Sequence, residues 1–425
     1  MTTDQSQLST ERLELLYRLS QTFNSSLDLD EVLNRVMDEV ITVTRAERGF
    51  VMLKESDGLL HFHAARGIDQ QTIDTPKFHI SRGLVARVAE EGQPLLTSDA
   101  QSDDRLSMRQ SVMSLGLRSI LCVPLQFRDK LIGVLYVDNR LQAGIFTKAD
   151  LELLTAVAAS AAIAIDNARL YQLAIEKGRL ERELQMARDL QRSLLPQYAP
   201  RHPGWQFIAR WQPARQVAGD FYDFLPTGDQ LGLVIADVSD KGMAAALFMA
   251  LSRSILRASL SQASPADGIS QANRLICADA ANGMFVTLFY GLLDPATGDL
   301  TYVNAGHDPP LFYQAATDQW QSLAPTGPVL GISETMRYEQ RTIRLAPDDF
   351  LLLYTDGVTD ALNSQQQEFG RARLHQIVAA ERHATAVTLM ETLEQTFHNF
   401  VGGSEPFDDV TILLIKRLGI DNPPG

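Results

Sequence analysis

The chain is 425 residues long, enough for two or three domains, and a hydrophobic fraction of 45% suffices for packed cores. Its formal charge of −14, with no basic tail, excludes a nucleic-acid or acidic-membrane partner held by bulk electrostatics. Met1-Thr-Thr-Asp-Gln-Ser-Gln has neither the charge nor the apolar stretch of a leader, and the alanine-rich run from Ala156 to Ile165 is too short to span a bilayer. Cys122 and Cys277 stand far apart in apolar settings, so the reading is a cytoplasmic protein with buried, reduced thiols.

In chain order, helical spacing is predicted over Leu13 to Phe23 and over Asp30 to Thr44, the second with Leu33, Val36, Met37 and Val40 on one face behind Asp30 as N-cap. Phe50 to Leu53 and Leu59 to His63 flank Ser56-Asp57-Gly58 as a hairpin. A short helix follows from Ser81 as cap to Gly92 as stop. Two more strands, Ile120 to Leu125 and Leu131 to Val137, enclose the turn Arg128-Asp129-Lys130.

That order, with Gly83-Leu-Val-Ala, Ser119-Ile-Leu-Cys-Val-Pro-Leu, Gly133-Val-Leu and Phe146-Thr-Lys-Ala-Asp-Leu-Glu-Leu-Leu, resembles a GAF domain over roughly residues 15 to 170. The resemblance implies a sensor with a small-molecule pocket above its sheet and leaves the ligand unknown. Asn139-Arg140, Phe146 and Asp150 echo the signature of cyclic-nucleotide-binding members. Arg140 stands for its Lys and Leu151 for its Glu, which weighs against that ligand. His61 and His63 alternate as on a solvated strand face rather than as haem ligands, and Cys122 reads as a small buried strand residue rather than a bilin attachment site.

Thr147 and Asp150 open a helix as a capping box, and helical patterning then runs to Leu195, where Pro196 stops it. Leu170, Leu173, Leu180, Leu184, Ala187 and Leu194 share a and d positions of one heptad frame, interrupted by Lys177 and Gln191. The preferred reading is a parallel homodimer stalk, and the competing one is a single amphipathic helix packed on its own domain. The expected division is a sensor over 1–167, a helical linker over 168–196, an effector over 197–418 and a disordered tail over 419–425.

The effector reads as two sheets packed together with helices outside. Strands are expected at Trp205 to Trp211, Phe221 to Leu225, Leu231 to Ala236, Met284 to Leu293, Leu300 to Asn304, Arg337 to Leu345, Phe350 to Tyr354 and Val410 to Lys416. Helices are expected at Gly242 to Leu260, Pro265 to Ala281, Arg371 to Ala380 and His383 to Phe400. With Gly228-Asp229 as a two-residue turn, register counting sets Asp220 opposite Asp237. Asp356 ends one further strand and Asp408-Asp409 begins another, so four carboxylate positions gather on one sheet rim. Gathered carboxylates repel unless protonated or bridged, and without Cys or His in these segments the expected ions are Mg2+ or Mn2+ rather than zinc.

Ala218-Gly-Asp220-Phe-Tyr-Asp-Phe, Ala236-Asp237-Val-Ser-Asp-Lys-Gly, Phe285-Val-Thr-Leu, Val303-Asn-Ala-Gly-His, Thr355-Asp356-Gly-Val-Thr-Asp and Phe407-Asp408-Asp409-Val-Thr resemble the metal-dependent protein phosphatase (PPM) family. Within it they are most similar to the bacterial sporulation and sigma-factor-regulating branch, which the helix end Gln191-Arg-Ser-Leu-Leu-Pro196 also resembles. The resemblance implies an α-β-β-α sandwich, making the whole chain a multidomain α+β protein with an antiparallel-sheet sensor. It also implies two Mn2+ or Mg2+ ions that activate a water for in-line attack on phosphoserine or phosphothreonine. Carried over, Asp237 bridges both ions, Asp220 and the Val238 carbonyl hold one, and Asp356 and Asp408 hold the other; Asp409 and Asp360 read as hydrogen-bond partners behind them.

The chain departs from eukaryotic members in two places. Ser239 occupies the position of their leaving-group His, and Gln216 that of their phosphate-gripping Arg, which leaves Arg215 as the candidate phosphate ligand. His307 reads as a structural turn residue, and Gly242 as a site of close helix–strand approach. The implied function is a sensor-controlled protein serine/threonine phosphatase acting on a STAS-type anti-anti-sigma factor. The alternatives are a catalytically silent regulator binding such partners and a nucleotide cyclase, although Gly219-Asp220-Phe-Tyr lacks the Gly-Gly-Asp/Glu-Glu-Phe signature of diguanylate cyclases.

Overall fold

The computed structural model describes residues 14, 16–23, 25–69, 71–73, 80–97, 100, 117–260, 264–280, 283–403 and 407–419. They form two compact units divided between Leu180 and Glu181. Leu13 and residues 420–425 of the expected tail lie outside the described residues.

In the first unit residues 16–23 are helical. They precede α1 (Leu29–Thr44), β1 (Arg48–Lys54), β2 (Leu60–Gly67), α2 (Arg82–Glu91), β3 (Leu95–Thr97), β4 (Ser119–Phe127), β5 (Lys130–Asn139) and the 47-residue α3 (Lys148–Leu194). The N-cap of α1 is Asp28, not Asp30: its side chain accepts the Glu31 amide, while Asp30 sits in the first turn, where a negative charge suits the helix dipole. Gly92 ends α2 in the left-handed region, and Thr147 and Asp150 exchange the reciprocal bonds of a capping box ahead of α3.

The strands make one antiparallel sheet in the order β2-β1-β5-β4-β3. One face is covered by α1 and the start of α3, with Val36, Val40, Val123, Leu135, Ala158 and Ala161 in one core. The alanines of α3 thus serve close packing, and no helix among the described residues is long and apolar enough to cross a membrane. On the other face Phe50, Leu84, Val88, Cys122 and Tyr136 form a second core.

Residues that suggested ligands have local tasks here. His61 pairs with Asp57 and His63 with Glu55 at the hairpin, Arg140 pairs with Glu47, and Phe146 is buried in the core. Burial pushes the Cys122 thiol up, which makes it a poor nucleophile. Cys277, expected to be buried, is only partly covered and bonds to Asn273 Oδ1.

The second unit holds β6 (Trp205–Gln212), β7 (Phe221–Thr227), β8 (Gln230–Val238), α4 (Met243–Ser259), α5 (Pro265–Asp279), β9 (Val286–Leu293), β10 (Asp299–Ala305), β11 (Leu311–Gln314), β12 (Gln319–Ser322) and β13 (Arg341–Arg344). It ends with β14 (Phe350–Tyr354), α6 (Asp356–Thr359), α7 (Gly370–Ala380), α8 (Ala386–Val401) and β15 (Val410–Arg417). Two antiparallel sheets, ordered β13-β10-β9-β8-β7 and β12-β11-β14-β15-β6, form a sandwich.

Period-two alternation explains the continuously apolar strands. Leu233, Ile235, Leu351, Leu353, Leu413 and Ile415 meet between the sheets. Their neighbours Val234 and Ala236 face α4 and α5, and Leu352, Ile412 and Leu414 face α7 and α8. Of the strand expected over Arg337 to Leu345 only Arg341–Arg344 pairs, on an edge. The β11–β12 hairpin was not predicted, because four-residue strands, one of them largely exposed and polar, carry almost no periodic signal.

Nothing in the periodicity announces the buried pair between Arg48 and Asp138 in the first unit. Their β1–β5 register partnership yields a two-pronged contact, Nε to Oδ1 at 2.9 Å and the second nitrogen to Oδ2 at 2.7 Å. Burial raises the Asp138 pKa to about 6 even against this cation. Removing the guanidinium strands a buried carboxylate, so Arg48→Ala is expected to cost the first unit about 3–5 kcal/mol. All three tryptophans lie in the second unit. Urea denaturation followed by far-UV circular dichroism should therefore show an early phase that tryptophan fluorescence does not; coincident shifts in both signals would contradict this.

Candidate metal centre

The carboxylates meet where strand ends of the two sheets come together. Thr227 pairs with Gln230 and Phe221 with Ala236, so Gly228-Asp229 is the turn and continuing the register sets Asp220 opposite Asp237. In the other sheet Tyr354 pairs with Ile412 and the Thr355 amide bonds to the Thr411 carbonyl, which carries Asp356 out of β14 beside the Asp408-Asp409 entry to β15. The hydroxyls of Thr355 and Thr411 both donate to Asp220 Oδ2 at 2.7 Å, tying one sheet's carboxylate to the other sheet.

The cost of this gathering appears in the acidities. Burial, then the charge of Asp356, raises Asp237 to about 7; burial, then the charge of Asp408, raises Asp356 to about 6. Asp220 is pushed well up by burial and by Asp237, against the two threonine bonds. Carboxylates that resist ionisation for lack of counter-charge, with all-oxygen donors, fit hard divalent cations. Among the described residues no three such groups are drawn tightly enough to hold an ion as they stand. The ammonium of Lys241 meets Asp408 Oδ2 at 2.7 Å and the Phe407 carbonyl at 2.8 Å, so a cation already answers part of the rim's charge.

The remaining candidates are distributed as follows. The Val238 carbonyl faces Gly219, where a Cβ would approach it to 3.0 Å. Asp409 accepts the amides of Ala214 at 2.8 Å and Gly219 at 2.7 Å, which shapes the loop leading into Asp220. Asp360 is exposed, bonds to the Thr359 hydroxyl and lines a cavity of about 260 Å³ together with Asp237 and Asp356. Arg215 is exposed and does not line that cavity. Ser239 Oγ accepts the Phe285 amide, a turn-closing task.

His307 is buried; its Nδ1 lies 2.8 Å from the hydroxyl of Thr287, the residue paired with Asp237 across β8–β9. Burial lowers its pKa to about 4, and the Tyr354 carbonyl, short of hydrogen-bond geometry, offsets this only in part. The ring is therefore neutral near pH 7 and has no imidazolium proton to lend, in keeping with a turn histidine. Gly242 is not a close-approach glycine: a Cβ there meets open space, and its φ of 82° is what requires glycine. Close approach occurs at Gly357, where a Cβ would lie 1.8 Å from the Asp409 carbonyl.

Sequence reasoning missed Gln191, which had read as a flaw in the heptad. It is buried within the second unit, its Nε2 donating to the Ala218 carbonyl at 2.6 Å and its Oε1 accepting the Ala218 amide at 2.9 Å. The end of α3 thus grips the backbone two residues before Asp220. A polar residue breaking a heptad just before a Pro stop was the available signal.

Comparison with known proteins identifies both domains. Residues 28–165 match the family model described as GAF domain, and residues 227–418 match Stage II sporulation protein E (SpoIIE). The chain thus carries a GAF domain followed by a SpoIIE/PP2C-type phosphatase domain, with the long helix between them. It is 35% identical over 264 residues to protein IcfG of Synechocystis, covering 55% of this chain and 41% of IcfG. It is 27% identical over 240 residues to phosphoserine phosphatase RsbU of Bacillus subtilis, covering 56% of this chain and 71% of RsbU. The chain therefore spans less than half of the first of these relatives. The SiaA-PP2C domain of Pseudomonas aeruginosa shares the fold of the second unit at a TM-score of 0.52 and 20% identity, over 57% of this chain and 99% of that domain.

Two outcomes are expected. A carboxyl group whose pKa is raised on folding favours the folded state fully below its unfolded pKa, and that contribution is lost as pH rises through the folded value. Without metal, Asp237→Asn should therefore raise Tm at pH 8, by about 2–4 °C for each kcal/mol of relieved repulsion, and change it little at pH 4. A variant no more stable than the parent at pH 8 would contradict the repulsion. Gln191→Ala should weaken Mn2+ binding about tenfold by loosening the loop into Asp220, as losses behind a ligand commonly do. Titration calorimetry of the full chain measures this, and unchanged affinity would remove Gln191 from the site.

Proposed function

We propose that this chain is a protein serine/threonine phosphatase whose second domain hydrolyses phosphoserine or phosphothreonine on a partner protein, under control of its GAF domain. The observation that carries the reading is the gathering of Asp220, Asp237, Asp356 and Asp408 on one rim beside a cavity, three of them with acidities that call for cations. The name of the relative RsbU, a phosphoserine phosphatase, supports the same chemistry.

In this reading Asp220, Asp237, Asp356, Asp408 and the Val238 carbonyl hold two Mn2+ or Mg2+ ions. When bound, the ions would screen the phosphoryl oxygens and make a water acidic enough to attack phosphorus near neutral pH. The chain's own part is positioning. Thr355 and Thr411 fix the Asp220 carboxylate, Asp409 and Gln191 hold the loop that carries it, and Ser239 and Thr287 pin the strand ends around Asp237. Orientation set in advance costs nothing at the moment of reaction.

The partner we infer is a STAS-type anti-anti-sigma factor, and the GAF domain takes a small molecule of unknown identity. The helix between the domains pairs two chains in parallel through Leu170, Leu173 and Leu180, all more than half exposed on α3. Domain limits of 1–167, 168–196 and 197–418 belong to the same proposal.

Release of phosphate from para-nitrophenyl phosphate and from a phosphoserine peptide should require Mn2+ or Mg2+, stop with EDTA and be lost in Asp237→Asn while the variant stays folded. Turnover undiminished in Asp237→Asn would refute the site; a parent chain inert with either metal, even on a phosphorylated STAS protein, would favour a silent binding role.

A further inference from the structure

The wall of the cavity beside the carboxylates holds one positively charged side chain among its described residues, because His307, which also lines it, is buried and neutral. Arg371 lines it together with Asp237, Asp308, Asp356 and Asp360. A phosphomonoester brings about −1.5 to −2 charges at neutral pH. Ions held by Asp237 and Asp356 would answer those two carboxylates, but Asp308 and Asp360 would still repel the incoming group, with Arg371 alone against them in the wall.

The position of Arg371 points the same way. It lies in the first turn of α7, a turn without an acidic residue, where the helix dipole disfavours a cation. Arg373, in the same turn, has a packing task over Phe400, 4.1 Å from the ring centroid. Among the described residues no aromatic ring stacks under Arg371; it pairs with Asp308, whose carboxylate is largely buried while the guanidinium is 64% exposed. Asp308 is itself raised by burial and lowered by this arginine, so the pair holds the planar fork at the cavity edge with its other donors available.

Resting on the phosphatase reading above, we propose that Arg371 is the phosphate-binding side chain of this site, donating forked hydrogen bonds to two non-bridging oxygens of the substrate phosphoryl group. This assigns to Arg371 the role that the sequence had offered to Arg215. A guanidinium fork matches phosphate in a way that an ammonium does not, so lysine is a poor replacement.

The test uses the full chain with Mn2+, para-nitrophenyl phosphate as substrate and inorganic phosphate as inhibitor. Arg371→Ala should raise both KM and the inhibition constant of phosphate by about tenfold or more, the loss expected for charge-assisted hydrogen bonds. Arg371→Lys should recover only part of this. Mn2+ half-saturation should stay at the parent value, since the side chain touches none of the proposed metal ligands, whereas Tm should fall because the largely buried Asp308 loses its cation. Unchanged KM and phosphate inhibition in Arg371→Ala would overturn the proposal. So would a parallel loss of Mn2+ affinity, which would make Arg371 a support of the carboxylate rim. A parent chain inert both on para-nitrophenyl phosphate and on a phosphorylated STAS protein overturns the phosphatase reading itself, a result separate from any difference between parent and variant.

Discussion

Mutual repulsion among carboxylates is the constraint around which the second domain is built. Two sheets that packed only through their apolar faces would need no acidic residues at their meeting edge. Here Asp220 and Asp237 from one sheet come against Asp356 and Asp408 from the other, and the pKa values of three of them are raised, first by burial and then by the charge of a neighbouring carboxylate. The sandwich tolerates this because its core is fully apolar and because polar ties cross the gap. Thr355 and Thr411 reach from one sheet to Asp220 in the other, and Asp409 binds the approaching loop by two amides. Stability is given up locally for a site that cations can complete.

How much of this could be read in advance depended on whether the information was local. The opposition of Asp220 and Asp237 follows from a two-residue turn, and a strand's period of two leaves register counting little freedom. The α-β-β-α layering likewise followed from uninterrupted apolar strands, which must be covered on both sides. Sequence patterning failed where the partner is distant or is backbone. Gln191 finds its partner at Ala218, Arg48 finds Asp138 ninety positions on, and Arg371 finds Asp308 across 63. No window of periodicity contains both members of such a pair. Gly242 was misread for another reason: helix-entry glycines serve either close approach or unusual φ, and only coordinates distinguish the two.

Gln191 also changes how the helix between the domains is understood. A strict heptad would carry an apolar residue at that position, yet the side chain closes a two-bond clasp on the Ala218 backbone. Upstream, Leu170, Leu173 and Leu180 keep the apolar stripe of the same helix exposed. One continuous element therefore has two chemistries: an unburied leucine face in the first unit and a polar grip on the loop into Asp220 in the second. Any force that rotates or shifts the end of this helix acts on Ala218, and through two peptide bonds on Asp220.

The two sides of the carboxylate rim carry different cations for physical reasons. Lys241 ends in a compact ammonium that sits directly on Asp408, where it can be exchanged for a harder cation without leaving a buried charge unpaired, since both partners keep contact with solvent. Arg371 presents a planar fork, anchored behind by Asp308, which an ion does not replace but which an oxyanion can engage. In the proposed phosphatase, a carboxylate rim with an exchangeable point charge on one flank and an anchored planar donor on the other would separate two tasks: the first flank would admit cations, and the second would orient an oxyanion against them.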